Sequence, residues 1–177
     1  SLLKEKRFSF PKSLYSTHDT IRFFVANKPN ALILDFFAGS GTTMHAVNLL
    51  NAEDGGHRRC IMVTNNEVSA DEAKMLKDKG YQPGDAEWEK LGIAHYVTWP
   101  RTVCSIEGHD VNGKPLKGDY LAASLRCIWP DGFKANVAFF KLGFLDPTAV
   151  SLGMRFSVNA AYVVVENWCK RKTTTGR

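Results

Sequence analysis

Residues 31–44 read Ala-Leu-Ile-Leu-Asp-Phe-Phe-Ala-Gly-Ser-Gly-Thr-Thr-Met, and no other stretch restricts the fold as much. Residues 31–34 are a continuous apolar run, the pattern of a strand buried on both faces of a parallel sheet. Asp35 falls where that strand ends. Gly39 and Gly41 permit a tight turn, and Thr42, Thr43 and Met44 open a helical pattern that runs to Leu50. Strand, glycine turn and helix N-terminus together form a site for a polar ligand at the carboxyl end of a sheet.

The spelling of the turn excludes two ligand classes. A nucleoside triphosphate loop needs Gly-Lys-Ser/Thr, so that a lysine reaches the phosphates, and here Gly41 is followed by Thr42. A dinucleotide fingerprint needs a small residue three positions beyond Gly41, where helix packs on strand, and Met44 stands there.

What is left, Asp-x-Phe-x-Gly-x-Gly over residues 35–41, resembles the S-adenosylmethionine-binding motif of amino-group DNA methyltransferases. In that family the turn lies under the methionine part of the cofactor, and an acidic or aromatic residue beside it touches the cofactor. The resemblance makes Asp35, Phe36, Phe37, Ala38, Gly39, Ser40, Gly41 and Thr42 cofactor-binding candidates. Upstream, Phe10-Pro11-Lys12-Ser13-Leu14-Tyr15 resembles the segment that these enzymes close over the methionine carboxylate, which adds Pro11, Lys12 and Ser13.

Downstream come Arg59-Cys60-Ile61-Met62-Val63-Thr64, Pro83-Gly84-Asp85-Ala86-Glu87-Trp88, Val97-Thr98-Trp99-Pro100-Arg101 and Lys117-Gly118-Asp119-Tyr120-Leu121. In that order they are similar to the C-terminal half of the modification subunits of type III restriction–modification systems, over residues 8–156. The resemblance implies a Rossmann-like methyltransferase fold of the α/β class, present as its cofactor-binding half. It implies S-adenosyl-L-methionine as cofactor, and methyl transfer to adenine N6 in duplex DNA as the reaction of the complete enzyme.

Such a reaction needs a polar acceptor for the amine and an aromatic face for the flipped base. The family supplies both through an Asp-Pro-Pro-Tyr type tetrapeptide, and none occurs in the 177 residues. The chain therefore reads as a piece that begins after the catalytic motif and the target-recognition region, with no catalytic residue of its own. The partners implied are duplex DNA, the missing N-terminal half and a restriction subunit. A non-catalytic remnant or structural subunit, or a methyltransferase acting on RNA or a small molecule, are the alternatives.

Composition agrees with one domain: 44% hydrophobic residues suffice for a single core. Without an apolar run of membrane-spanning length or a signal-peptide pattern, no membrane partner is expected and a cytoplasmic protein is the default. Cys60, Cys104, Cys127 and Cys169 lack paired metal spacing and read as reduced, buried thiols; the five histidines are scattered, and no metal is expected. Net charge is +5, but Lys170, Arg171, Lys172 and Arg177 against Glu166 put +3 of it in the tail. The charge is therefore a poor witness for DNA binding.

The domain reading is 1–156 as cofactor half with a hairpin extension and 157–177 as an atypical tail. A one-nucleotide shift from residue 159 would restore family-like text, which suggests a frameshift; the alternative is an ordinary strand over residues 162–165.

Coarser patterning predicts helices at 17–25, 42–51, 69–79 and 86–91, with strands at 31–35, 59–64 and 95–99 in a parallel sheet. Asn112-Gly113 predicts a hairpin pairing 103–107 with 115–121, and 137–144 is a further apolar segment. Glu67, or Asn66 beside it, follows the second strand and is placed to bind ribose hydroxyls, although strict counting puts Thr64 there. Asp85 and Trp88 either flank an adenine or serve as helix cap and core, and Arg101 reads as a surface residue at a strand end. With half the sheet outside the chain, strand 31–34 would present an unpaired edge, and self-association is expected.

Overall fold

The computed structural model describes residues 11–117, 120, 131–143 and 160–165. The first unit is helix α1 (Leu14–Val25), strand β1 (Leu32–Asp35), helix α2 (Thr42–Asp54) and strand β2 (Arg59–Thr64). Ser13 caps α1, its hydroxyl accepting from the Ser16 N–H. Gly41 and Gly55 bound α2 in left-handed conformation, where a residue without Cβ is least strained. Helix α2 is buried from Met44 to Leu50, which is why its sequence lacks a polar stripe.

Strands β1 and β2 pair in parallel, Leu32 opposite Arg59 and Asp35 opposite Met62, with α2 as the crossover. Two further strands, β3 (Ala138–Gly143) and β4 (Ala160–Val165), extend the sheet in the order β1-β2-β4-β3, and both of their pairings are antiparallel. The sheet is thus mixed, not parallel as the alternation of elements suggested, within an α/β fold. The apolar segment at 137–144 becomes β3. The tail contributes β4, which covers the residues whose β character stood out.

One face of the sheet is the core. Cys60 and Met62 pack with Ala38, Met44 and Val47, and Ile21, Ile33 and Phe139 close around them. A second cluster joins Leu49 to Tyr120 and Phe133. The other face is open at β1, where Leu32 and Leu34 are each 52% exposed. The expectation of a strand buried on both faces therefore fails for β1: it lies at the end of the sheet, and among the described residues nothing covers its second face.

A buried arginine ties the layers together. Arg58 is fully buried; it donates to the Val25 and Ala26 carbonyls at the end of α1 and to both carboxylate oxygens of Asp54 at the end of α2. Burial raises the Asp54 pKa, but hydrogen bonds from Arg58 and the Gly56 N–H outweigh it, and the carboxyl sits below its ordinary range. Nearby, His18 bridges Asp19 and Glu53 at 3.1 and 3.0 Å and joins α1 to α2.

After β2 come α3 (Ala70–Asp78), opened by the Ser69–Glu72 capping pair, and the short α4 (Ala86–Glu89). A π-helical turn (Ala94–Thr98) then runs directly into α5 (Trp99–Glu107). This corrects the strand expected at 95–99. The Asn66 side-chain oxygen accepts from the Ala94 and His95 N–H groups, so a residue some thirty positions away caps the turn and overrides local β propensity. The expected hairpin is also reduced. Residues 103–107 belong to α5, which Gly108 ends in left-handed conformation, and among the described residues one bridge, His109 with Pro115, flanks the Asn112-Gly113 turn; 118, 119 and 121 lie outside the described residues. The Asp110 carboxylate accepts from the Asn112 and Lys114 N–H groups and fixes that turn.

Candidate functional site

The glycine turn is held at its mouth by Asp35. One carboxylate oxygen accepts from the Phe37 N–H at 3.0 Å and the other from the Thr43 hydroxyl at 2.6 Å. The carboxylate therefore reaches across the turn from the end of β1 to the first turn of α2. The Ala38 N–H donates to the Val63 carbonyl at 3.1 Å, which fixes the turn to β2. Gly39 and Gly41 have φ of 51° and 74°. The first N–H groups of α2 have no partner within the helix and carry the positive end of its dipole, which suits an acceptor or an anion.

The end of the π turn and helix α5 brace the same turn. The Thr98 hydroxyl donates to the Gly39 carbonyl, and one guanidinium nitrogen of Arg101 donates to the hydroxyls of Ser40 at 3.2 Å and Thr42 at 3.0 Å. Those two hydroxyls are themselves 3.0 Å apart and buried. Arg101 is thus not the surface residue of a strand end. Pro100 opens α5 and aims Arg101, one residue later, at the turn. Burial lowers the pKa of its guanidinium, while Tyr120 acts in the opposite sense. Sequence reasoning missed this residue because the helix that presents it was taken for a strand.

At Gly41 the close neighbour is protein. A Cβ there would lie 3.2 Å from the Thr98 methyl and 3.5 Å from the Thr98 carbonyl oxygen. The missing side chain of Gly41 thus lets the π turn and the start of α5 close on the glycine turn.

The other candidates separate. Phe36 and Phe37 are 62% and 91% exposed at the mouth, beside Asp35. Pro11, Lys12 and Ser13 are exposed ahead of α1, and the described bonds of Ser13 stay within that helix. Asn66 donates to the Glu89 carbonyl at 2.8 Å and carboxylate at 2.9 Å while its oxygen caps the π turn. Both ends of its amide are so engaged in holding structure. Glu67 is exposed and bonded through its backbone carbonyl to the Ile93 N–H, which leaves it the better placed of the pair for a ligand. Asp85 occupies the position before α4, but its carboxylate accepts from the upstream Gln82 N–H and makes no cap bond to the helix, whereas Trp88 is buried, as the core reading had it.

Beneath the turn, burial disfavours the charged forms of His45 and Cys60. His45, buried in α2, contacts the Tyr120 hydroxyl through Nε2 at 2.7 Å; burial and the Arg101 charge lower its pKa to about 3. Burial, helped by Asp35, pushes the Cys60 thiol up to about 12. Cys60 and Cys104 are buried free thiols, in keeping with inert packing roles. No described helix is long and apolar enough to cross a membrane.

Three curated proteins share short stretches with the chain. A 61-residue stretch is 51% identical to the type II methyltransferase M.KpnI of Klebsiella pneumoniae, covering 34% of this chain and 14% of that protein. The EcoPI Mod subunit of a type III restriction-modification enzyme, from Escherichia phage P1, is 43% identical over 68 residues, 38% of this chain and 10% of the relative. The StyLTI Mod subunit of Salmonella typhimurium is 46% identical over 56 residues, 32% of this chain and 8% of its own length. The matched stretch is thus a small part of each relative. No solved structure matches. A family model described as DNA methylase covers residues 3–98, which include β1, the glycine turn, α2 and β2. With more than half of its length matched by that model, the chain belongs to the DNA methylase family.

Proposed function

We propose that the chain is the S-adenosyl-L-methionine-binding portion of a site-specific methyltransferase that modifies adenine N6 in duplex DNA within a restriction–modification system. The observation that carries this reading is the Asp35–Thr43 clamp around a glycine turn, in a chain of the DNA methylase family. Its β1-α2-β2 unit is read as the cofactor half of a Rossmann-like sheet.

The residues fit the cofactor. The N-terminal N–H groups of α2 and the turn suit its amino-acid end. Asp35 suits a positive centre, the exposed Phe36 and Phe37 rings offer apolar faces, and Glu67 offers a carboxylate to ribose hydroxyls. Pro11, Lys12 and Ser13 lie on the segment that would close over the site. When bound, the cofactor supplies an activated methyl group on a sulfonium. This chain's part is to bind and orient it.

Base flipping and the hold on the target amine need an acceptor-Pro-Pro-aromatic motif, which the 177 residues do not contain. We assign these tasks to a catalytic and recognition half supplied from outside this chain, with a restriction subunit as a further partner and the cytoplasm as the place of work. In this reading residues 1–156 are the cofactor half. The tail is a departure from the family, whose reading frame sequencing of the encoding DNA would check.

The test is methyl incorporation into duplex DNA from labelled cofactor. The chain alone should give none, and addition of a type III modification subunit's N-terminal half should restore transfer. Transfer by the chain alone would refute the division of labour. Cofactor binding without rescue would favour a non-catalytic subunit.

A further inference from the structure

Arg101 stands out among the described charges. Among the described residues it has no carboxylate in an ion pair, and its Nε is buried without a hydrogen-bond partner. Its described bonds go to two neutral hydroxyls of the glycine turn, Ser40 and Thr42. The fully buried Arg58 finds a carboxylate in Asp54, whereas half-buried Arg101 has only hydroxyls. An uncompensated guanidinium behind a ligand-binding turn calls for an account.

The hydroxyl arithmetic supplies one. Arg101 only donates, so both hydroxyl oxygens accept from it. The Ser40–Thr42 contact uses one of the two hydroxyl hydrogens, and the other is left to donate. The turn thus gathers a spare O–H, the leading N–H groups of α2 and a nearby cation, all favouring negative charge. Asp35 holds positions 37 and 43 of the same turn from the other sign of charge. A turn gripped by a carboxylate at one pair of positions and a guanidinium at another is matched to a zwitterion.

We propose that Arg101 is a positioning residue for the cofactor turn, fixing the Ser40 and Thr42 hydroxyls and making the turn selective for a ligand with a carboxylate beside its ammonium group. The inference rests on the cofactor reading above and adds a residue from α5 to it. Its effect is on discrimination between ligands, which a purely structural brace would not produce.

The test is calorimetric titration of the full chain with two probes. S-Adenosylhomocysteine carries the amino-acid end, whereas 5′-methylthioadenosine is the same thioether nucleoside without it. The ratio of the two affinities within one sample is independent of the fraction folded. Arg101→Met should shrink that ratio about tenfold, corresponding to one charge-assisted interaction. Arg101→Lys, which keeps the charge and folds with less disturbance, should recover most of it. Equal weakening of both probes, or an unchanged ratio, would overturn the positioning role while leaving the cofactor site in place. A wild-type chain that binds neither probe would overturn the cofactor reading itself, and this inference with it.

Discussion

Thr43 donates its hydroxyl to Asp35 at 2.6 Å, so a residue in the first turn of α2 closes the glycine turn onto the end of β1. The bond is charge-assisted and half-buried, which makes it stronger than a neutral one. Thr43→Val should cost about 1–2 kcal/mol of stability in urea unfolding. Thr43→Ser, which keeps the hydroxyl, should cost less than half of that. Equal losses in both variants would mean that the methyl group, not the bond, matters at this place.

Gly41 gives a second, sterically based expectation. Gly41→Val places a branched side chain at a φ of 74° and 3.2 Å from the Thr98 methyl. The loss should be about 2–4 kcal/mol, combining backbone strain with overpacking. Denaturant unfolding checks it. A variant as stable as the parent would show that α5 can move off the turn.

His45 makes stability depend on acidity. Its pKa is about 3 in the folded chain against 6.5 ordinarily, so between those values the unfolded state binds more protons. Stability contributed by neutral His45 is full above about 6.5 and is lost as pH falls toward 3. His45→Gln should flatten the pH profile of unfolding in that window. An equally steep profile in the variant would assign the acid sensitivity to other groups. The Asp54 carboxyl adds its own loss at the acid end of that range: its pKa is lowered from 3.8, so its contribution is full above about that value and is lost as pH falls below it.

The open edge of the sheet predicts association. Strand β1 pairs only with β2 among the described residues, and Leu32, Leu34, Phe36 and Phe37 expose apolar surface beside Phe23 and Phe24. Surface of that kind recruits other chains. Sedimentation velocity should show concentration-dependent oligomers, reduced by Leu34→Lys. A monodisperse monomer at high concentration would mean that this edge is covered.

Which parts were legible in the sequence follows from where the signals lie. The β1-turn-α2-β2 unit could be read almost to the residue, because its strand run, glycines and helix opening are local. Ser69 with Glu72 three residues on is likewise a local spelling, and the structure forms that pair. The π turn and α5 were not, since Tyr96, Val97 and Thr98 have β character and the cap that makes them helical is Asn66, remote in sequence. Losing that helix hid the bracing roles of Thr98 and Arg101. The antiparallel addition of β3 and β4 was hidden for a like reason: sheet order is set by long-range pairing, which periodicity does not report.

The central claim is that this turn binds the methyl donor. Calorimetric titration of the chain with S-adenosyl-L-methionine tests it most directly, with Asp35→Ala as the control variant. The account predicts one molecule bound per chain, displaced by S-adenosylhomocysteine, and at least tenfold weaker binding in the variant, about the size of one lost charged contact. No heat of binding in a folded chain, or binding that Asp35→Ala leaves unchanged, would contradict it.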